Sequence, residues 1–288
     1  MSKAYSYSQA CSRNIGWLTP AEQNILRGKC IAIAGMGGVG GVHLLTLARL
    51  GVGAFHIADF DRFDLANFNR QAGAMMSTLD LPKVEVLADM ARDINPSLKL
   101  LRFPSGVNEN NLEAFFEGVD LYVDGLDFFA FKARQHTFAA CARLRIPAIT
   151  AAPLGMGTAL LNFLPGQMTF EEYFGWGDLP DEDKALRFLV GLAPAALHGR
   201  YLLDPSAINL KQQHGPSTIM GCQLCAGAAA TEALKILLGR GQVLAAPHGF
   251  HFDAYRNQLV RTWRPGGNRH PLQRLAMLLA RRRPAAPS

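Results

Sequence analysis

Gly35-Met36-Gly37-Gly38-Val39-Gly40 follows the short apolar run Cys30-Ile31-Ala32-Ile33-Ala34 and precedes a segment whose pattern predicts a helix from about Val42 to Leu50. A strand, a glycine turn and a helix start in that order form the first unit of a parallel α/β sheet. Glycines let the backbone approach an anion closely. The free N–H groups and dipole of the helix start attract it. The same glycines also serve where a helix and a strand simply pack tightly, so the downstream residues must choose between the two readings.

Ala54 to Ala58 reads as the second strand and ends at Asp59, 19 residues after Gly40. A carboxylate there can accept both ribose hydroxyls of a nucleotide, in NAD-binding and ATP-binding proteins alike. The choice comes next, in Asp61, then Asn67-Phe68-Asn69-Arg70-Gln71, then Pro82-Lys83 opening a helix that ends near Asn95-Pro96. An NAD-dependent oxidoreductase has no need of an arginine and a lysine here. A triphosphate does, because its charge must be met by cations and fixed donors. Leu98 to Phe103 predicts the third strand and Leu121 to Asp124 the fourth, leading into Gly125-Leu126-Asp127. A carboxylate at the carboxyl end of a sheet strand faces the ligand crevice, and beside a triphosphate its natural task is to hold Mg²⁺. Ala148 to Ala151 and Thr158 to Leu164 complete the strands of this part. The predicted fold is α/β: a Rossmann-like, doubly wound, mostly parallel sheet with an antiparallel extension and a crossover insert.

Five segments are expected: a helical arm (1–28), an ATP-binding adenylation core (29–165), a crossover or lid insert (166–215), a returning helix with a closing hairpin (216–263), and a basic tail (264–288). In the arm, Thr19-Pro20-Ala21-Glu22 can cap and start a helix. In the insert, Phe170-Glu171-Glu172-Tyr173-Phe174-Gly175-Trp176 is either a lid or partner surface or a piece of core. Cys222 and Cys225, at the start of a helix predicted to run to Leu238, read as small core residues rather than as metal or redox groups. His214 in the loop ahead of it reads as structural or solvated. The hairpin is predicted over 249–253 and 258–263. Of the net charge of +6, all six units sit in arginines from Arg264 onward, where no acid occurs. The body is therefore neutral and makes no general call for nucleic acid. The tail places Leu272, Leu275, Leu278 and Leu279 beside arginines, as a solvated helix or a contact for a partner, an anionic surface or RNA. No apolar run approaches a membrane span of about 20 residues, and residues 1–14 carry no signal-peptide core, so a cytoplasmic protein is expected.

Taken together, GxGGxG, DxD, NxNRQ, the Pro82-Lys83 pair and the later Asp127 resemble the ThiF/MoeB/HesA family of adenylating enzymes, related to the adenylation domain of ubiquitin-activating E1. The resemblance covers about 10–165 and 215–262. It implies that Gly35, Gly37, Gly38 and Gly40 cradle ATP and that Asp59 binds the ribose. Asp61 and Asn69 join the nucleotide-binding set, and Asn67, Arg70 and Lys83 contact phosphates. Asp127 would bind Mg²⁺, and Arg13 would reach the γ-phosphate, often that of the neighbouring subunit in a homodimer. The implied activity is that of an E1-like adenylyltransferase acting on the C-terminal carboxylate of a ubiquitin-like or sulfur-carrier protein, or of a peptide. The chain offers one CxxC pair and no cysteine between Cys141 and Cys222, so neither a zinc site nor a mid-chain thioester cysteine is expected. A tRNA-modifying relative, like threonylcarbamoyladenosine dehydratase, is the alternative within the same chemistry. An NAD-dependent oxidoreductase and an idle nucleotide-binding docking module are the alternatives outside it. Phe128, where Asn is usual, and Ala66, where Ser is usual, depart from the family pattern.

Overall fold

The structure is a computed structural model that describes residues 4–208 and 215–281; His214, Arg282 and Arg283 lie outside the described residues. Eight strands form one sheet: β1 (Cys30–Ala34), β2 (Ala54–Ala58), β3 (Lys99–Phe103), β4 (Leu121–Asp124), β5 (Ala148–Leu154), β6 (Gly157–Phe163), β7 (His248–Asp253) and β8 (Gln258–Trp263). Their order is β3-β2-β1-β4-β5-β6-β7-β8. β1 to β5 pair in parallel, and β6, β7 and β8 continue the sheet antiparallel. The doubly wound sheet with an antiparallel extension is as the sequence predicts.

The ten α-helices among the described residues are α1 (Tyr7–Ala10), α2 (Pro20–Arg27), α3 (Gly40–Leu50), α4 (Lys83–Ile94), α5 (Leu112–Phe116), α6 (Phe131–Leu144), α7 (Phe170–Phe174), α8 (Asp181–Leu192), α9 (Ile219–Leu238) and α10 (Pro271–Arg281). They cover the sheet on both faces, which is why β1 is apolar throughout rather than alternating. Ile31 and Ile33 face one core with residues of α3, α4 and α9. Ala32 and Ala34 face the other with α6, α7 and α8. Small alanines on that second face leave room for its rings: Tyr122, Phe138, Phe163, Phe170, Phe174, Trp176 and Phe188. Phe138 stacks on Phe170 at 4.4 Å, and Trp176 meets Phe131 edge-on at 5.4 Å. Of the two readings of the 170–176 aromatics, the structure shows core: Tyr173, Phe174 and Trp176 are wholly buried.

Thr19 caps α2 reciprocally with Glu22, with Pro20 in the first turn, as predicted. β5 runs three residues past its predicted end. Beyond Thr150 it has lost β4 and pairs with β6 alone, so the missing N–H of Pro153 falls on an unpaired edge and interrupts no ladder. α10 packs on α8, where buried Gln273 donates to the carbonyl of Val190 at 3.0 Å and Arg281 pairs with Asp183. Its four leucines face outward. No helix of the described residues is long and apolar enough to cross a membrane.

Candidate active site

The chain builds β1, β2 and β3 outward on one side, then crosses to β4 on the other. In an open α/β sheet the crevice at the carboxyl ends of the strands flanking such a reversal is the ligand site. Here the glycine turn follows β1 and the Asp127 loop follows β4. The two loops meet backbone to backbone: a Cβ on Gly35 would lie 2.2 Å from the Gly125 oxygen, and one on Gly40 would lie 1.8 Å from the Gly35 oxygen. Packing therefore requires glycine at 35 and 40. Gly37 is different. The nearest atom to a Cβ there is the Gln71 side-chain nitrogen at 3.8 Å, so packing gives no reason for a glycine, whereas close approach of a ligand to the backbone does.

Asp59, at the end of β2, accepts from the Met36 N–H at 2.5 Å and from the Asp61 N–H at 2.7 Å. It thereby ties the glycine turn to β2. Burial raises its carboxyl above the ordinary value, against the pull of those two N–H donors and of Lys83. Lys83, the first residue of α4, is buried and donates to Asp61 Oδ2 at 3.1 Å. Arg70 extends from the 67–71 loop, its Cγ 3.5 Å from where a Cβ on Gly38 would stand. It donates to the carbonyl of Ala66 at 2.9 Å and to Asn69 Oδ1 at 2.8 Å. Asn69 in turn donates to the Ser217 carbonyl at 3.0 Å, which ties this loop to the approach to α9. Asn67 accepts the Asp64 N–H and shapes the loop from within. Asp127 is exposed; its Oδ1 accepts the Phe129 N–H at 3.0 Å, and its Oδ2 makes no hydrogen bond among the described residues.

Gly35, Gly37, Gly38, Gly40, Asp59, Asp61, Asn67, Asn69, Arg70, Lys83 and Asp127 thus line or adjoin one crevice. Arg13 does not. It lies exposed beside Asn14, which donates to the Leu50 carbonyl at the far end of α3. The 11 residues of α3, at about 1.5 Å each, separate that end from the glycine turn of the same chain. Cys222 and Cys225 are fully buried, and burial pushes both thiols up, so they are protonated core residues. Cys222 nonetheless backs the site, with its sulfur 3.1 Å from a Cβ placed on Gly38.

Sequence reasoning missed Arg134. Its guanidinium lies under the Asp127 loop and pairs with Asp124 at 2.8 Å. It carries no motif, and it lies seven positions after Asp127. Only an unusual feature, an arginine in register with the apolar Phe131, Phe138 and Cys141 of α6, could have marked it. Phe128 does not point into the crevice; its ring joins Phe129, Phe131 and Phe188.

Among the described residues no group of three or more His, Cys, Asp or Glu is placed to cage a metal ion. One carboxylate with an unbonded oxygen beside a glycine turn does fit Mg²⁺, which takes one or two carboxylates and completes its shell with substrate phosphates and water.

The profile of the ThiF family matches residues 11–275. The chain belongs to the ThiF family. Members of this family are E1-like adenylating enzymes. The chain is 35% identical over 127 residues to tRNA threonylcarbamoyladenosine dehydratase of Bacillus subtilis, covering 44% of this chain and 49% of that protein. It is 33% identical over 135 residues to the sulfur carrier protein ThiS adenylyltransferase of Escherichia coli, covering 47% and 53%. It spans about half the length of these curated relatives. Its fold matches a crystal structure of PaaA with a TM-score of 0.67 at 18% identity, over 91% of this chain and 76% of that one.

Proposed function

We propose that this ThiF-family chain binds Mg·ATP in the crevice between the β1 and β4 loops and activates a substrate carboxylate as an acyl-adenylate. The observation that carries the reading is the set of groups around Gly37: a backbone left open without a packing reason, an arginine against the adjacent Gly38, a buried lysine and an unpaired carboxylate. A dinucleotide fold built for hydride transfer needs the first but not the others.

In this reading a carboxylate oxygen of the substrate attacks the α-phosphorus of ATP. The bond from that phosphorus to the bridging oxygen breaks, and pyrophosphate leaves with the electron pair. The protein supplies no covalent partner; it holds two anions together and meets the charge that grows on the phosphates. Asp59 orients the ribose. Arg70 and Lys83 stand by the phosphates, with Asn67 and Asn69 shaping their loop. Lys83 gives up part of its contact with Asp61 to do so. Asp127 holds Mg²⁺, which when bound offsets phosphate charge. Arg13, remote from the crevice of its own chain, acts in a homodimer on the site of the second copy.

The substrate we favour is the C-terminal carboxylate of a small ubiquitin-like or sulfur-carrier protein, or of a peptide. The likeness to the Bacillus subtilis dehydratase supports a second reading, a carboxylate on a modified tRNA adenosine. ATP–[³²P]pyrophosphate exchange, screened against carrier proteins, peptides and tRNA, separates them. Exchange that depends on one of these carboxylates is expected. Turnover of NADH without any exchange would overturn the proposal.

A further inference from the structure

Asp127 projects from a loop that few side chains hold, yet three successive carbonyls of that loop converge on one group. Arg134 Nη2 donates to the carbonyls of Leu126 at 2.8 Å and Asp127 at 2.9 Å, and Nη1 donates to that of Phe128 at 3.1 Å. Nε donates to Asp124 Oδ2 at 2.8 Å. That oxygen also accepts the Thr150 hydroxyl at 2.9 Å. The ring of Phe188, from α8 of the insert, covers the guanidinium at 4.6 Å. Arg134 is 2% exposed.

A guanidinium is a rigid planar fork, so its donors fix the directions of the groups they touch. Fixing the carbonyls on both sides of Asp127 and its own fixes the two peptide planes that carry it, and therefore the direction of its Cα–Cβ bond. The aromatic cover excludes water, which would otherwise compete for the same carbonyls. Asp124 neutralises the cation and is spent in doing so, which leaves Asp127 as the loop's one free carboxylate.

We infer that Arg134 is a positioning residue: anchored by Asp124 and sealed by Phe188, it aims the Asp127 carboxylate at the metal–nucleotide complex without touching either. The inference rests on the Mg·ATP reading of the crevice. Its second consequence is that the insert reaches the Asp127 loop from the core, through Phe188, whose ring meets both the Arg134 guanidinium and Phe128.

The test uses calorimetric titration of the full chain with the non-hydrolysable nucleotide AMPPNP, once with Mn²⁺ and once in excess EDTA. Electron paramagnetic resonance reads the bound Mn²⁺ independently of turnover. Arg134→Lys keeps the charge opposite Asp124 but cannot reach three carbonyls in one plane. It should weaken Mn²⁺–nucleotide binding about tenfold and change metal-free nucleotide binding less than twofold. Phe188→Leu loosens the same core but keeps an apolar cover on the guanidinium and leaves the fork intact, and should leave the metal preference within about twofold of wild type. If Arg134→Lys does not fold, the neutral pair Asp124→Asn/Arg134→Gln leaves no unpaired buried charge and should show the same metal-specific loss. Equal weakening with and without metal, or an equal loss of metal preference in the Phe188 variant, would reduce Arg134 to a structural ion pair and overturn the inference. Wild-type chain that binds no nucleotide under either condition would sink the ATP reading itself, and this inference with it.

Discussion

Two charged clusters flank the glycine turn, and they are built in opposite ways. On the β4 side, Asp124 and Arg134 are each 2% exposed, and four of the five N–H donors of the guanidinium are hydrogen-bonded within the fold. On the β2 side, Lys83 is 7% exposed but its partner Asp61 is 52% exposed, and the contact between them is a single bond of 3.1 Å. The first cluster is closed off from solvent, and its cation is already matched by Asp124. The second holds a buried cation on an anion that water already solvates, so an incoming phosphate can take the cation at small cost. A sealed pair shapes backbone, whereas an open pair waits for a partner. The sealed pair thus belongs to the fold, and the open one is free to serve the proposed chemistry.

The largest expected effect tests the sealed side. Asp124→Ala leaves Arg134 buried without its counter-charge and should cost about 3–5 kcal/mol of stability, read by urea denaturation. A loss under about 1 kcal/mol would mean that the pair is as replaceable as a surface one, and the contrast would fail.

On the open side the effects should fall on chemistry and spare the fold. Asp127→Ala should lower pyrophosphate exchange about 1,000-fold, and Lys83→Met about 100-fold, both with little change in melting temperature. A large melting shift in Lys83→Met with exchange intact would make the Lys83–Asp61 contact a fold element and erase the distinction. Mixing Arg13→Ala chains with Asp127→Ala chains sharpens the comparison further. If Arg13 serves the second copy, the mixture should regain part of the exchange that each variant alone lacks.

What the sequence made legible follows from the same contrast. The open groups sit on loops at fixed offsets from glycines and strand ends, so their order alone exposes them. Asp59, Arg70, Lys83 and Asp127 were singled out this way, and the structure places Asp59 and Arg70 against the glycine turn, Lys83 on Asp61, and Asp127 on the loop that packs against Gly35. β2 and β4 were legible to the residue, because a buried parallel strand reads as a short apolar run between turns. Arg134 was invisible because its value lies in three carbonyls, and carbonyls have no sequence. The aromatics at 170–176 were ambiguous for a related reason: a run of rings looks the same whether it faces water or Phe138, and only the alanines at 32 and 34, far off in the chain, make room for it inside. The end remote from the turn was also hidden. Nothing local to Arg13 says that Asn14 docks on Leu50.

A third style of polar burial stands beside these two and gives the smallest predicted effect. His43, one turn into α3, is wholly buried, and neither ring nitrogen is hydrogen-bonded among the described residues. Burial drives its pKa down to about 4. The folded chain thus keeps it neutral, while the unfolded chain protonates it below its ordinary value of about 6.5. Because the folded pKa is the lower one, the stability it permits is present above pH 6.5 and drains away as pH falls toward 4. Between pH 7 and pH 5 the loss should be about 2 kcal/mol. His251 is pushed down to about 4 by burial and by its neighbour His198, and it adds a loss of the same sign. Urea denaturation of His43→Leu at the two pH values should show a shallower fall than wild type, by about that amount. An unchanged slope would mean that α3 opens to water before His43 is protonated, and that this helix start is less tightly sealed than the Asp124–Arg134 pair across the turn from it.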